Sequence, residues 1–121
     1  MEQVTATLDN IGDIETGPIA YVQLRTSSLS ASFILSDLTP VAVKDIDCFV
    51  ACVHAGREDT LIYCDSNGGV SMTTGAEKVS FEVAKYGAGG DGSLTISVSD
   101  KVALPLLASL RELTLEAGKS Q

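Results

Sequence analysis

The chain has 121 residues, enough for one domain, and with 45% hydrophobic residues and a mean hydropathy of +0.23 it is too apolar for a disordered segment. Sixteen Asp and Glu against eight Lys and Arg give a net charge of -8, and the basic residues are scattered singly, so no cluster exists to neutralise a run of phosphates or to hold an anionic membrane. No apolar run approaches the roughly 20 residues of a membrane-spanning helix, and the acidic, alternating N-terminus MEQVTATLDN lacks the basic-then-apolar pattern of a signal peptide. These features place the expected protein in the cytoplasm.

Period-two alternation rich in Val, Ile, Thr, Phe and Tyr predicts strands over residues 4–8, 19–25 and 31–35. The next segment changes rhythm. Over residues 40–55 the apolar Val43, Ile46, Phe49, Val50 and Val53 recur at helical spacing, with Thr39 as N-cap, Pro40 at the first helical position and Gly56 as the stop. Alternation then resumes and predicts strands over 60–64, 70–73, 79–85 and 94–98. A second helix is expected over 102–117, where Ala103, Leu106, Leu107, Leu110, Leu113 and Ala117 share a face, with Ser99 and Asp100 as capping groups, Pro105 in the first turn and Gly118 at the end.

The two halves read alike. Each helix follows a strand ending in Ser-Asp, at Ser36-Asp37 and Ser99-Asp100, and the stripe Val43, Ile46, Phe49, Val50, Val53 falls on Leu107, Leu110, Leu113, Thr114, Ala117. Upstream, Ile19-Ala20-Tyr21 aligns with Val79-Ser80-Phe81, Thr16-Gly17 with Thr74-Gly75, and Leu8-Asp9 with Cys64-Asp65. The expected fold is α+β: a single domain over 1–121 built from an internally duplicated β-β-β-β-α repeat, with pseudo-repeats about 1–56 and 57–121. A weakly written strand around residues 11–15 completes the first copy. One amphipathic helix cannot cover a four-stranded sheet, so the halves are expected to share a core, as one continuous sheet or as two intertwined half-sheets, with two helices packed on one face.

This element order is similar to that of the sliding-clamp domain, in which strand-helix-strand-strand-strand units are duplicated, with this chain a circularly shifted version. It also resembles the Pur family of single-strand nucleic-acid binders, whose domain is two intertwined β-β-β-β-α repeats. Either resemblance implies a nucleic-acid-associated protein. The basic helix residues of a clamp correspond here only to Lys44, Lys101 and Arg111, and the aromatic, basic sheet face of Pur proteins is missing, so the resemblance extends to element order alone.

Chemistry-bearing motifs have plain readings. Cys48, Cys52 and His54 form a C-x3-C-x-H string that Cys64 or a carboxylate could complete as a zinc site, but an odd cysteine count without a secretion signal favours reduced thiols that pack as small apolar groups. Residues 87–92 contain G-x-G-x-x-G, yet a strand follows where a dinucleotide-binding turn needs a helix, so a flexible hairpin connection is expected. Residues 65–69, DSNGG, begin like a calcium loop, but Val70 and Ala76 occupy the positions that need Gly and Glu; Asn67-Gly68 reads as a hairpin turn. The acidic groups Asp9, Asp13, Glu15 and Asp45, Asp47, Glu58, Asp59 read as solvated surface.

The first helix carries one irregularity. Opposite its apolar stripe lie Cys48, Ala51, Cys52 and Ala55, where a solvent-facing side would be charged. This small-residue stripe is the candidate oligomer interface, packing against the C-terminal helix or a symmetry mate. No catalytic residue, cofactor or metal is assigned. The function expected is a non-catalytic cytosolic interaction or ligand-binding module acting as a homo-oligomer, most simply a homodimer, with nucleic acid disfavoured by charge and no membrane contact. A nucleic-acid-associated protein of clamp-like or Pur-like architecture is the alternative, and a small enzyme whose site sequence spacing does not reveal is the second.

Overall fold

The strands follow from alternation that buries one side chain in two. In a computed structural model, which describes residues 4–65, 68–85 and 91–119, β1 (Thr5–Asn10), β2 (Ala20–Arg25) and β3 (Ser30–Leu35) form an antiparallel sheet in that order. Helix α1 (Val43–Ala55) follows. The strands β4 (Asp59–Asp65), β5 (Gly68–Gly75), β6 (Lys78–Lys85) and β7 (Gly92–Ser99) then make a second antiparallel sheet in sequential order, and α2 (Asp100–Lys119) closes the chain. The protein is α+β with antiparallel sheets and two helices.

Register fixes which residues face inward. Across the first sheet, Leu8, Val22 and Phe33 stand in one row, and across the second Leu61, Met72, Phe81 and Ile96 do. From these rows Val22, Phe33, Leu61, Met72, Phe81 and Ile96 are buried, and they join Ile46, Phe49 and Val53 of α1 and Leu106, Leu107 and Leu110 of α2 in one core. The rings of Phe33 and Phe81, 6.2 Å apart between centroids and tilted by 41°, join the two sheets. Helix α1 packs on β4 and β5, whereas α2 reaches back to β1 and also lies on β6 and β7. The outward face of the second sheet is hydroxylated: Thr60, Thr73, Ser80 and Ser97 form a row in which Thr60 meets Thr73 at 3.3 Å and Ser80 meets Ser97 at 2.8 Å.

Three sequence expectations are corrected. Residues 11–15 are not a strand, because side chains capture the backbone first. The Asn10 amide oxygen accepts from the N–H groups of Gly12 at 2.9 Å and Ile19 at 3.1 Å, and the Asp13 carboxylate accepts from Glu15 and Thr16, each at 2.9 Å. Gly12 is required there, since a Cβ would fall 1.9 Å from the Gly17 carbonyl oxygen. The domain therefore has seven strands among the described residues, in sheets of three and four.

The other corrections concern helix ends. Helix α1 starts at Val43 with Ala42 as N-cap, not at Pro40, because Asp37 binds the Thr39 N–H at 3.0 Å and its hydroxyl at 2.6 Å and holds that stretch in a turn. The Asp45 carboxylate then accepts from the Ala42 N–H at 3.0 Å. At the other end Gly56 adopts φ 69°, and the N–H of Arg57 reaches the Cys52 carbonyl at 2.9 Å, closing the helix where the sequence places its stop. Helix α2 begins earlier than expected, at Asp100, and runs past Gly118 to Lys119. Pro105 consequently lies inside the helix, beyond the first turn, and supplies no N–H to the carbonyl of the exposed Lys101.

Candidate functional site

The split between the sheets creates a concavity. A cleft of about 420 Å³ lies between β3 and the end of the second sheet that carries Tyr63, Val70 and Val83. One wall is the consecutive run 32–37, the unpaired edge of β3 and its continuation, with Tyr21 beside it. The facing wall is built by Tyr63, Val70 and Val83, a single cross-strand row, with Lys85 at its rim. This row continues to Leu94 on β7, which is 47% exposed, so apolar surface runs from the cleft to the far edge of the sheet. Most of the lining is apolar, with Ser32, Ser36, Asp37, Cys64 and Lys85 as polar groups.

Two cleft residues have altered acid-base behaviour. The Thr39 hydroxyl and N–H beside Asp37 hold its carboxyl below the usual carboxylate range. That stabilisation is present above the range in which unfolded Asp titrates and is lost as pH falls through the lowered value. In an acid titration followed by NMR, the Asp37 carboxyl and the Thr39 amide should change together, below the pH at which exposed carboxylates titrate. A Thr39 amide that moves with the bulk carboxylates would exclude this bond as the anchor of the turn. Tyr63 is the second case. It is 3% exposed, burial and the nearby Asp45 carboxylate push its phenol well above the ordinary value, and among the described residues its hydroxyl is the buried side-chain polar atom without a hydrogen-bond partner.

Of the residues singled out in the sequence, Cys64 lines the cleft and those on α1 lie elsewhere. Cys48, Ala51 and Ala55 are exposed on α1 and Cys52 is half-buried. Helix α2 does not cover this stripe, which corrects one of its two expected partners. The helices instead meet beside Asp47 and Arg111, whose guanidinium donates from Nε to Oδ1 at 2.7 Å, raising the arginine's pKa. Cys64 is exposed on the outward face of β4, His54 is exposed on α1, and no group of three His, Cys, Asp or Glu able to hold a metal ion is found among the described residues. Of the acidic groups, Asp13 is held below the usual range by the Thr16 N–H and hydroxyl, Asp45 accepts from the Ala42 N–H, and Asp47 pairs with Arg111. In the calcium-like segment, β4 pairs with β5 as far as Asp65 opposite Gly68. Ser66 and Asn67 lie outside the described residues, as do residues 86–90, which hold most of the Gly-rich motif.

Alternation alone missed the cleft, although the sequence carries a trace of it. In Phe33-Ile34-Leu35 and Leu61-Ile62-Tyr63 an apolar residue occupies an outward position, and Ile34 and Ile62 are 50% and 55% exposed. Ile34 lies on the cleft.

Among the described residues, seven antiparallel strands in two sheets, closed over one core by two helices, define the class of fold. By its sequence the chain belongs to a family of unknown function, DUF5766, whose model matches residues 34–109, from the end of β3 into α2. No curated protein and no solved structure matches it. Among the described residues no helix is long and apolar enough to cross a membrane.

Proposed function

We propose that the protein is a non-catalytic cytosolic interaction module that binds an extended segment of a partner by adding it as a strand to β3. The observation that carries this reading is that the unpaired edge of β3 forms one wall of a mostly apolar cleft of about 420 Å³. An open edge offers a row of backbone N–H and C=O groups, which supply affinity to any extended chain. The row Tyr63, Val70, Val83 opposite and Ile34 on the rim supply selectivity for apolar side chains at alternate positions. Selection of displayed peptides on the immobilised protein tests the proposal. A selected peptide of alternating apolar pattern should shift the amide resonances of β3, and Ile34→Asp should weaken it at least tenfold with unchanged stability, since Ile34 is half exposed. Peptides that shift only α1 or β7, or small apolar fragments that bind the cleft where no peptide does, would overturn strand addition.

The module acts as a homo-oligomer, and its two halves are copies of one unit. Register supports the duplication. The rows Ala6–Leu24–Ala31, Leu8–Val22–Phe33 and Asn10–Ala20–Leu35 of the first sheet correspond to Val70–Val83–Leu94, Met72–Phe81–Ile96 and Thr74–Val79–Val98 of the second. Asp47 and Arg111, 64 positions apart like the two helix stripes, are equivalent residues in contact, as expected near a pseudo-twofold axis. The correspondence sets Ala20, not Ile19, against Val79, one residue from the alignment by sequence and enough to exchange the faces of a strand; it likewise sets Leu8 against Met72, not Cys64, and Asn10 against Thr74, where the alignment has Thr16. It also sets β1 against β5 and leaves β4 without a counterpart.

A further inference from the structure

We infer that the open edge of β1 is the surface on which a second copy of this chain docks, β1 against β1 in antiparallel register across a twofold axis. The inference rests on the homo-oligomeric, duplicated reading above and names its interface. In the second sheet, β5 is flanked on its outer side by β4, and α1 packs across both. In the first sheet β1 occupies the position of β5 and α2 packs across it, but among the described residues no strand stands beyond. The consequence is visible in burial. Met72 and Val70, beneath β4, are buried, whereas their counterparts Leu8 and Ala6 are only half-buried.

The filled position shows what the open one takes. Opposite Val70 and Met72, β4 presents Tyr63 and Leu61, an antiparallel strand with apolar side chains at alternate positions. Strand β1 of a second copy meets that requirement. With the axis at Thr7, Leu8 faces Ala6 of the second copy and Ala6 faces its Leu8, so both apolar rows stay on the helix side; a register shifted by one residue would set inward positions against outward ones. Charge permits the pairing despite the net charge of -8. Asp9 is the one charged residue of β1, and in this register it falls opposite Thr5. The edge carries neither Lys nor Pro, two of the devices that keep exposed strands from pairing.

Thr7 is exposed, so a charge there leaves the fold intact, but in the dimer the two Thr7 side chains lie directly opposite each other. The wild-type chain at micromolar concentration is expected to scatter light with the mass of two chains. Thr7→Asp and Thr7→Lys should each weaken the dimer at least tenfold with unchanged circular dichroism, and an equimolar mixture of the two variants should recover the two-chain mass. A wild-type mass of one chain overturns both this interface and the homo-oligomeric reading, and leaves strand addition at β3 to its own test. A dimer that withstands both Thr7 variants but is broken by Ala51→Glu overturns the β1 interface alone and assigns assembly to the stripe of Cys48, Ala51, Cys52 and Ala55.

Discussion

Phe81→Ala should cost about 3–5 kcal/mol of folding stability, the range for truncating a buried phenylalanine. Phe81 is 1% exposed and stands in the middle of the second sheet, between Met72 and Ile96. Its ring also meets Phe33 of the first sheet. Among the described residues no strand of one sheet pairs with a strand of the other, so side-chain packing must hold one against the other, and removing the ring opens a void that the strands on either side cannot collapse to fill. The midpoint of thermal unfolding should fall by about 10–20 °C in a chain of this size. Urea unfolding decides the matter. A loss below about 1 kcal/mol, outside the range for a core aromatic, would mean that the sheets do not meet through Phe33 and Phe81. A full loss would also loosen the cleft, whose β3 wall includes Phe33.

Local physics made most of the elements legible. Every observed strand lies within about two residues of an alternating segment, because one-sided burial leaves a period-two trace whatever the strand packs against. The helix stripes were equally plain: Ile46, Phe49 and Val53, and Leu107, Leu110 and Leu113, are all buried. What misled was competition for backbone hydrogen bonds over short range. Residues 11–15 contain two isoleucines and resemble a strand by composition, yet Asn10 and Asp13 reach N–H groups within a few residues sooner than a distant strand could. Asp37 acts the same way on Thr39, delaying the start of α1.

The site was far less legible than the fold. Whether seven strands form one sheet or two depends on which edges meet, and edges are made of backbone, which every residue shares. No side chain announces that pairing stops between β3 and β4. Ile34 and Ile62, apolar where the alternation calls for polar residues, were the available hint, and of these Ile34 marks the cleft. Small residues on a helix face, like the stripe on α1, stand out in a sequence, whereas an open strand edge does not.

Tyr63→Phe should stabilise the protein by about 1–2 kcal/mol, the reverse of the usual effect of altering a core residue. The ring of Tyr63 is packed in the row with Val70, and phenylalanine would keep that packing. Only the hydroxyl would be lost, and it is buried with no protein partner, so folding strips it of water for no return. Alkali should widen the difference. Burial, with the Asp45 carboxylate adding to it, raises the phenol's pKa in the folded protein, so the unfolded chain ionises first as pH rises past about 10. Stability tied to the neutral phenol is complete below that pH and declines above it, in the wild type and not in Tyr63→Phe. Parallel urea titrations at neutral and alkaline pH test both parts. A variant less stable than wild type at neutral pH would mean that the hydroxyl is hydrogen-bonded after all, most simply to a water buried behind the cleft wall, and that Tyr63 anchors this wall through its oxygen as well as its ring.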